Sequence, residues 1–410
     1  MVRVTFLHPD LGIGGAERLV VDAALAIKQY GHEVSFITTH HDPEHCFTET
    51  KNGSIPVTVI GDWLPRHIFG RFYALCAYIR MLYAAAYIIM TKPRPDVVFC
   101  DLVSACIPIL RLFIPCIIFY CHHPDQLLSQ PGGYAKKLYR LPLNYLEELT
   151  TGMADKIFVN SIYTQNVFES TFKRIKKKTE VLYPSIDTDC FDKTITSSLE
   201  KVLNMRLPRD SFVILSINRY ERKKNVNLAI ETVAILKEFL TEEEYNKVYL
   251  IVAGGYDKRV EENVEYYLEL IQLADELHVT EKIHFLRSPS DKDKISLLKH
   301  CNVLIYTPAN EHFGIVPLEA MYMGKPVIAH SSGGPKESII NNKTGYLISE
   351  ATAEAFAIKV AILVQDKQLA EEYGYNGKAR FNSVFSYDTF SHQLFVAIGT
   401  YRRHRENKEK

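Results

Sequence analysis

The chain has 410 residues, too many for one ordinary core, so two domains of roughly 200 residues are expected, and its 47% hydrophobic content gives both a packed interior. Lys plus Arg equal Asp plus Glu at 48 each, which excludes a global field that recruits nucleic acid; an anionic ligand must be held by local groups. Eight cysteines form no C-x-x-C pair and no histidine completes a metal set, so they read as buried thiols of a reducing compartment.

Taken in chain order, the opening MVRVTFLHPDLG is a short strand running into a turn. It lacks the apolar centre and small-residue cleavage site of a signal peptide, and the functional part of the chain is expected to face the cytosol. Strand 2–7, a glycine turn, helix 15–29 and strand 33–38 make a βαβ unit. Gly14 and Gly15 bring backbone N–H groups to the start of that helix, where a phosphate could rest. The G-x-G-x-x-G spacing is unmet, because Gly12, Gly14 and Gly15 are followed by Arg18. Either the turn is simply tight, or bulky side chains are kept away from a substrate.

Strand-like segments 57–60, 96–100, 116–121 and 156–160 follow, with helix 134–151 among them, and their near-continuous apolar runs imply a parallel sheet covered on both faces. Segment 69–90 is long enough to span a bilayer but carries Arg80 in its middle. It reads as a core helix with Arg80 surfacing at one edge, as a helix lying in the membrane interface, flanked by Trp63, Arg66, Arg71 and Lys92, or as a true span. The apolar stretch 97–121 is divided by Asp101, Pro108, Arg111 and Pro115 into strand, helix and strand. It ends in CHHPD, which puts His122, His123 and Asp125 at a strand's carboxyl end as candidates for polar contact with a substrate or acceptor.

The linker-like LYPSIDTDCFD closes a first domain over 1–184, and the pattern restarts over 185–385. Strands 212–218, 248–255, 282–286, 302–307, 326–330 and 345–348 alternate with helices 225–240, 262–277 and 291–300. Residues 386–410 read as a C-terminal helix returning to the first domain, with a basic tail. Both halves are doubly wound α/β domains whose ligand crevices lie beyond the strands' carboxyl ends.

The second half concentrates charge at one such edge. SINRYERKKN carries Arg219, Arg222, Lys223 and Lys224 where its first strand ends. EHFGIVPLE sets Glu311 in a loop and Glu319 in the first turn of a helix, with Pro317 at its first position and Gly324 closing it. SSGGPKESI supplies a second glycine turn, with Pro335 starting another helix. Helix starts attract phosphate, whereas carboxylates repel it and bind hydroxyls. Hydroxyl, diphosphate, hydroxyl is the outline of a nucleotide sugar.

These motifs, from GIGGAER through SINRYERKKN and EHFGIVPLE to SSGGPKE, resemble the retaining glycosyltransferases of the GT-B fold, glycosyltransferase family four, along essentially the whole chain. With DWLPR, SACIP and TTGMAD they resemble more narrowly the α-1,3/α-1,6-mannosyltransferases of dolichol-linked oligosaccharide assembly. The resemblance implies two Rossmann-like domains with the active site in the cleft between them, GDP-mannose as donor, and a mannosyl-chitobiosyl-diphosphodolichol acceptor. It further implies location on the cytosolic face of the endoplasmic reticulum membrane, and other early mannosyltransferases as partners. Arg219 and Lys224 would hold the diphosphate, Glu311 the sugar with the amides around Phe313, Gly314 and Ile315, and Glu319 the ribose, with the base near Phe285 to Ser288. His122 matches the histidine beside the transferred sugar, Gly14 and Gly15 the loop near the leaving phosphate, and no divalent ion or other cofactor is expected. Asn225 departs from the pattern, standing where many relatives have glycine, and His123 adds a second imidazole. The rival readings are another GT-B glycosyltransferase with a different lipid or sugar acceptor, a sugar-nucleotide epimerase, a phosphorylase, a dinucleotide dehydrogenase and a non-catalytic membrane scaffold.

Overall fold

The computed structural model describes residues 1–129, 133–208 and 210–406. It divides into two compact units, Met1–Pro184 with Asp388–Lys410, and Ser185–Tyr387. The C-terminal helix Tyr387–Glu406 stacks Phe395 on Tyr30 of the first unit, with ring centroids 4.3 Å apart; the last four residues of the basic tail lie outside the described residues.

The first unit is built on seven parallel strands: β1 (Arg3–His8), β2 (Glu33–Thr38), β3 (Val57–Val59), β4 (Val97–Asp101), β5 (Cys116–Cys121), β6 (Lys156–Val159) and β7 (Glu180–Val181), in spatial order β3-β2-β1-β4-β5-β6-β7. β4 and β5 are buried at every position, because helices cover both faces and water reaches neither. The order reverses between β1 and β4, so the βα turns there leave to opposite faces and open a crevice beyond the carboxyl ends.

Helix Tyr73–Met90 covers one face. Met81, Ala84, Ala85 and Ile88 pack into the core with Leu7, Val98 and Ile117. Arg80 does not surface as expected. It is buried and donates from one Nη to the Thr39 carbonyl at 2.6 Å and to Asp62 at 3.2 Å, which satisfies a charge that a bilayer interior would leave unpaired. The opposite side of the helix, with Tyr73, Leu75, Ile79 and Tyr83, is exposed.

The second unit has six parallel strands, β8 (Phe212–Ile217), β9 (Val248–Gly254), β10 (Ile283–Arg287), β11 (Val303–Tyr306), β12 (Val327–His330) and β13 (Gly345–Ile348), ordered β10-β9-β8-β11-β12-β13. Its reversal lies between β8 and β11. Local sequence sets many helix starts: Ser290 accepts from the Asp293 amide, Thr352 from Ala355, and Thr241 forms a reciprocal capping box with Glu244. All eight cysteines are unbridged, and only Cys190 is exposed.

Candidate active site

At the reversal of the second sheet, β8 runs into Arg219 and then a 3₁₀ turn over Arg222–Lys224, followed by helix Asn227–Ile235. Asn225 between them has φ 51°, a left-handed backbone that glycine adopts freely and asparagine tolerates. The residue that departs from the family pattern therefore keeps the pattern's geometry.

β11, the neighbour across the reversal, delivers Glu311. Lys224 Nζ reaches Glu311 Oε2 at 2.5 Å, with both side chains largely shielded. Tyr306, the last residue of β11, hydrogen-bonds Glu311, and burial followed by that carboxylate pushes its phenol well above the usual range. Helix Ile315–Tyr322 begins two residues earlier than the sequence suggested, so Pro317 is its third position and Glu319 lies beyond its first turn. Proline is tolerated there because the first N–H groups of a helix have no intrahelical partner anyway. The amides at this helix start are those of Gly314 and Ile315. Gly324 closes the helix with φ 68°.

The glycine turn after β12 locks onto this loop. Gly334 donates its N–H to the Glu311 carbonyl at 2.9 Å. A Cβ on Gly333 would stand 2.1 Å from that carbonyl oxygen, and one on Gly334 2.1 Å from the Phe313 oxygen. Only glycine permits the approach, so the two motifs form one backbone cradle, and helix Pro335–Ser338 starts at Pro335.

Glu319 is buried and its Oε1 accepts from Lys294 Nζ at 2.9 Å, while Oε2 is buried without a hydrogen-bond partner. Burial raises its carboxyl above the usual range, and Lys294 works against that. An unpaired buried acceptor beside a lysine can take a hydroxyl. Lys294 lay in helix 291–300 of the sequence with no motif to single it out. At the neighbouring edge Ser288 follows β10; its backbone donates to the Gly254 carbonyl at 2.7 Å while its hydroxyl and the Tyr256 backbone bond each other at 3.0 Å.

Of the four expected cations, two are committed elsewhere. Arg222 pairs with Glu265 and Glu269 of helix Glu261–Glu276, and Lys223 with Glu221. Arg219 is 62% exposed and shares Glu221, so it can swing to a ligand. The side chains gathered at this reversal are thus Arg219, Lys224, Glu311, Tyr306, Glu319 and Lys294.

In the first unit the helix Gly15–Gln29 starts at Gly14, whose extended backbone faces the Glu17 carboxylate, while the space where a Gly15 side chain would stand is open. His122 follows β5 and its Nε2 meets Asp101 Oδ2 at 3.0 Å, its ring packing on Tyr120 at 4.7 Å. His123 is half-buried beside it. Asp125, a candidate for substrate contact, is held by Arg140 at 2.9 Å, and Glu147 accepts the backbone N–H groups of Asp125 and Gln126 at 2.6 and 3.1 Å. Its carboxylate therefore secures its own loop. Among the described residues no group of three or more His, Cys, Asp or Glu could hold a metal ion.

Comparison with known proteins bears on this geometry. The model of Glycosyltransferase Family 4 matches residues 13–190, and that of Glycosyl transferases group 1 matches 203–380. The chain is 48% identical to Alpha-1,3/1,6-mannosyltransferase ALG2 of Mus musculus, over 96% of this chain and 95% of the relative. It is 49% identical to the protein of the same name from Homo sapiens, over 96% and 94%. Among solved structures, sucrose-phosphate synthase from Thermosynechococcus elongatus superposes with a TM-score of 0.76 at 18% identity, covering 98% of this chain and 100% of that one. At that identity the likeness establishes the GT-B fold and nothing finer.

Proposed function

We propose how the site works from one premise: this chain belongs to the α-1,3/1,6-mannosyltransferase family. It is a glycosyltransferase of N-glycan precursor synthesis. The donor we assign is GDP-mannose, and the acceptor Man1GlcNAc2-diphosphodolichol, which receives an α-1,3 and then an α-1,6 mannose. The observation that carries the assignment is the pairing of Lys224 with Glu311 across the reversal of the second sheet, together with the buried, unpartnered Oε2 of Glu319. Diphosphate entering this edge meets Arg219, Lys224 and the amides of Phe313, Gly314 and Ile315; hydroxyls meet the carboxylates. Lys224 then has a resting partner in Glu311, which keeps its ammonium ordered until phosphate takes a share of it.

Retention of configuration needs no carboxylate pair acting as nucleophile and acid. In the front-face course the bond from the sugar's anomeric carbon to the phosphate oxygen breaks as the bond to the acceptor oxygen forms on the same side. The acceptor's proton passes to the departing phosphate oxygen. The protein's share is charge stabilisation by Arg219 and Lys224, and positioning by Glu311 and His122. Those cations take the place of a divalent ion.

The acceptor is a lipid, and the surface of the first unit suits one. Trp63, Phe69, Phe72, Tyr73, Ile79 and Tyr83 are exposed, and helix Tyr134–Gly152 adjoins them through Phe72 on Tyr139, with its own exposed Leu138, Leu141, Tyr145 and Leu149. Exposed Arg66, Arg71, Lys136 and Lys137 border the patch. Aromatic and basic groups together favour an anionic membrane interface, and we place the protein on the cytosolic face of the endoplasmic reticulum.

The test is product analysis after feeding purified protein GDP-mannose and the one-mannose lipid acceptor, with and without a chelator. Two added mannoses with both linkages, made equally well in chelator, are expected. Conversion of the nucleotide sugar to an epimer without acceptor would instead mark an epimerase.

A further inference from the structure

The reversal of the first sheet holds a buried charge chain. β1 ends at His8, β4 at Asp101, and His122 follows β5; these are three neighbouring strands, so their carboxyl ends meet. His8 Nδ1 lies 2.7 Å from Asp101 Oδ1, and Asp101 Oδ2 lies 3.0 Å from His122 Nε2. At the far end His8 Nε2 is 3.7 Å from Glu17 Oε1, in the first turn of the helix that Gly14 caps. The His8 and Asp101 side chains are 1% exposed and His122 is 18% exposed, so the chain runs from the interior to an accessible imidazole.

Each carboxylate oxygen of Asp101 accepts, so each facing ring nitrogen must carry a proton. His8 is hydrogen-bonded to a carboxylate at Nδ1 and has a second carboxylate 3.7 Å from Nε2, too far for a hydrogen bond but near enough to favour the charged ring. Burial opposes that charge, but Asp101 and Glu17 outweigh it and push the imidazole up to about 10. Asp101 in turn stays below the usual carboxylate range in spite of burial, through His8 and His122. The other titratable neighbours are neutral: burial holds the Tyr120 phenol up, and a hydrogen bond with Cys106 and then burial do the same for the Cys100 thiol.

We propose that Asp101 and His8 are positioning residues that lock His122 as the tautomer protonated at Nε2, so that Nδ1 is presented as a hydrogen-bond acceptor for a sugar hydroxyl. A neutral acceptor discriminates in favour of a hydroxyl and against a phosphate oxygen, which has no proton to donate. The charge on His8 keeps Asp101 ionised and so keeps the tautomer fixed. The proposal rests on the placement of His122 beside the transferred sugar.

The test uses the full-length protein with ¹⁵N-labelled histidine. The His122 resonance, assigned by its loss in His122→Gln, is expected to show a protonated Nε2 and an unprotonated Nδ1 near neutral pH. Asp101→Asn should shift it toward the other tautomer and lower kcat by about 10²-fold or more, while the donor KM changes by less than about threefold. A wild-type His122 protonated at Nδ1, or a folded Asp101→Asn protein with wild-type kcat, overturns the proposal. Should Asp101→Asn melt far below wild type, His8→Gln keeps a donor toward Asp101 but removes the charge. It should move the acid limb of the kcat profile up by about one pH unit, and an unmoved limb overturns the role of His8. Unimpaired turnover in His122→Gln, with the tautomer as expected, would overturn the placement at the sugar instead.

Discussion

At the scale of single residues, the edge we assign to the donor pairs opposite charges, Lys224 with Glu311, that a ligand would divide. Lys224 and Glu311 are mutual partners now, and a diphosphate would draw the lysine away from a carboxylate that sugar hydroxyls can then occupy. Replacing Lys224 with alanine should lower kcat by at least about 10²-fold, the scale of one charge-stabilising group, measured in single-turnover assays with saturating acceptor. Wild-type turnover would remove the lysine from the chemistry. Lys294 has a different task. Changing it to methionine leaves the buried Glu319 without its partner, and calorimetry should show a loss of about 3 kcal/mol, largely restored by adding Glu319→Gln. Donor affinity should stay impaired in the double variant, because the amide offers a hydroxyl one neutral acceptor oxygen where the carboxylate offered two charged ones.

Elements carry the next level of the argument. Helix Gly15–Gln29 begins with a glycine whose Cβ would meet nothing within 4 Å, so the fold does not need glycine there. Gly15→Ala is therefore expected to hold or raise the melting temperature while lowering turnover by about tenfold or more, if a leaving phosphate approaches that turn. Unchanged turnover would reduce the glycine to a plain strand-to-helix turn. Helix Tyr134–Gly152 offers a pH test through Glu147, which anchors the loop after His123. Burial first, and Asp125 second, push its carboxyl up to about 7. A raised carboxyl contributes most to stability when protonated, below its unfolded value, and that contribution is lost as pH rises through about 7. Wild type should thus lose stability relative to Glu147→Gln between pH 5 and 8, by no more than about 1.4 kcal/mol per pH unit for one group. A flat difference between the two melting curves across that window would contradict it.

For the whole molecule, the exposed apolar surface of the first unit is the membrane contact we propose. Ile79→Glu with Leu141→Glu should weaken flotation with anionic vesicles by at least about tenfold, since each apolar side chain transferred contributes about 1.5–3 kcal/mol. Activity on a short-chain soluble acceptor should persist; equal flotation would move the membrane contact elsewhere. The sequence determined by itself the two doubly wound halves, nearly every strand, and the donor motifs, because burial on both faces writes continuous apolar runs and glycine turns follow strand ends. It marked Arg219, Lys224, Glu311 and Glu319 for the same reason: each follows a strand or stands close after a helix start at a readable punctuation. Arg80 was legible as a charge but not as an anchor, and Asp101 only as a break in an apolar run. His8, Lys294 and Tyr306 carried no local signal. Their roles arise where β1 meets β4 and β8 meets β11, strands far apart in the chain, and only the order of strands in each sheet brings those ends within hydrogen-bonding distance.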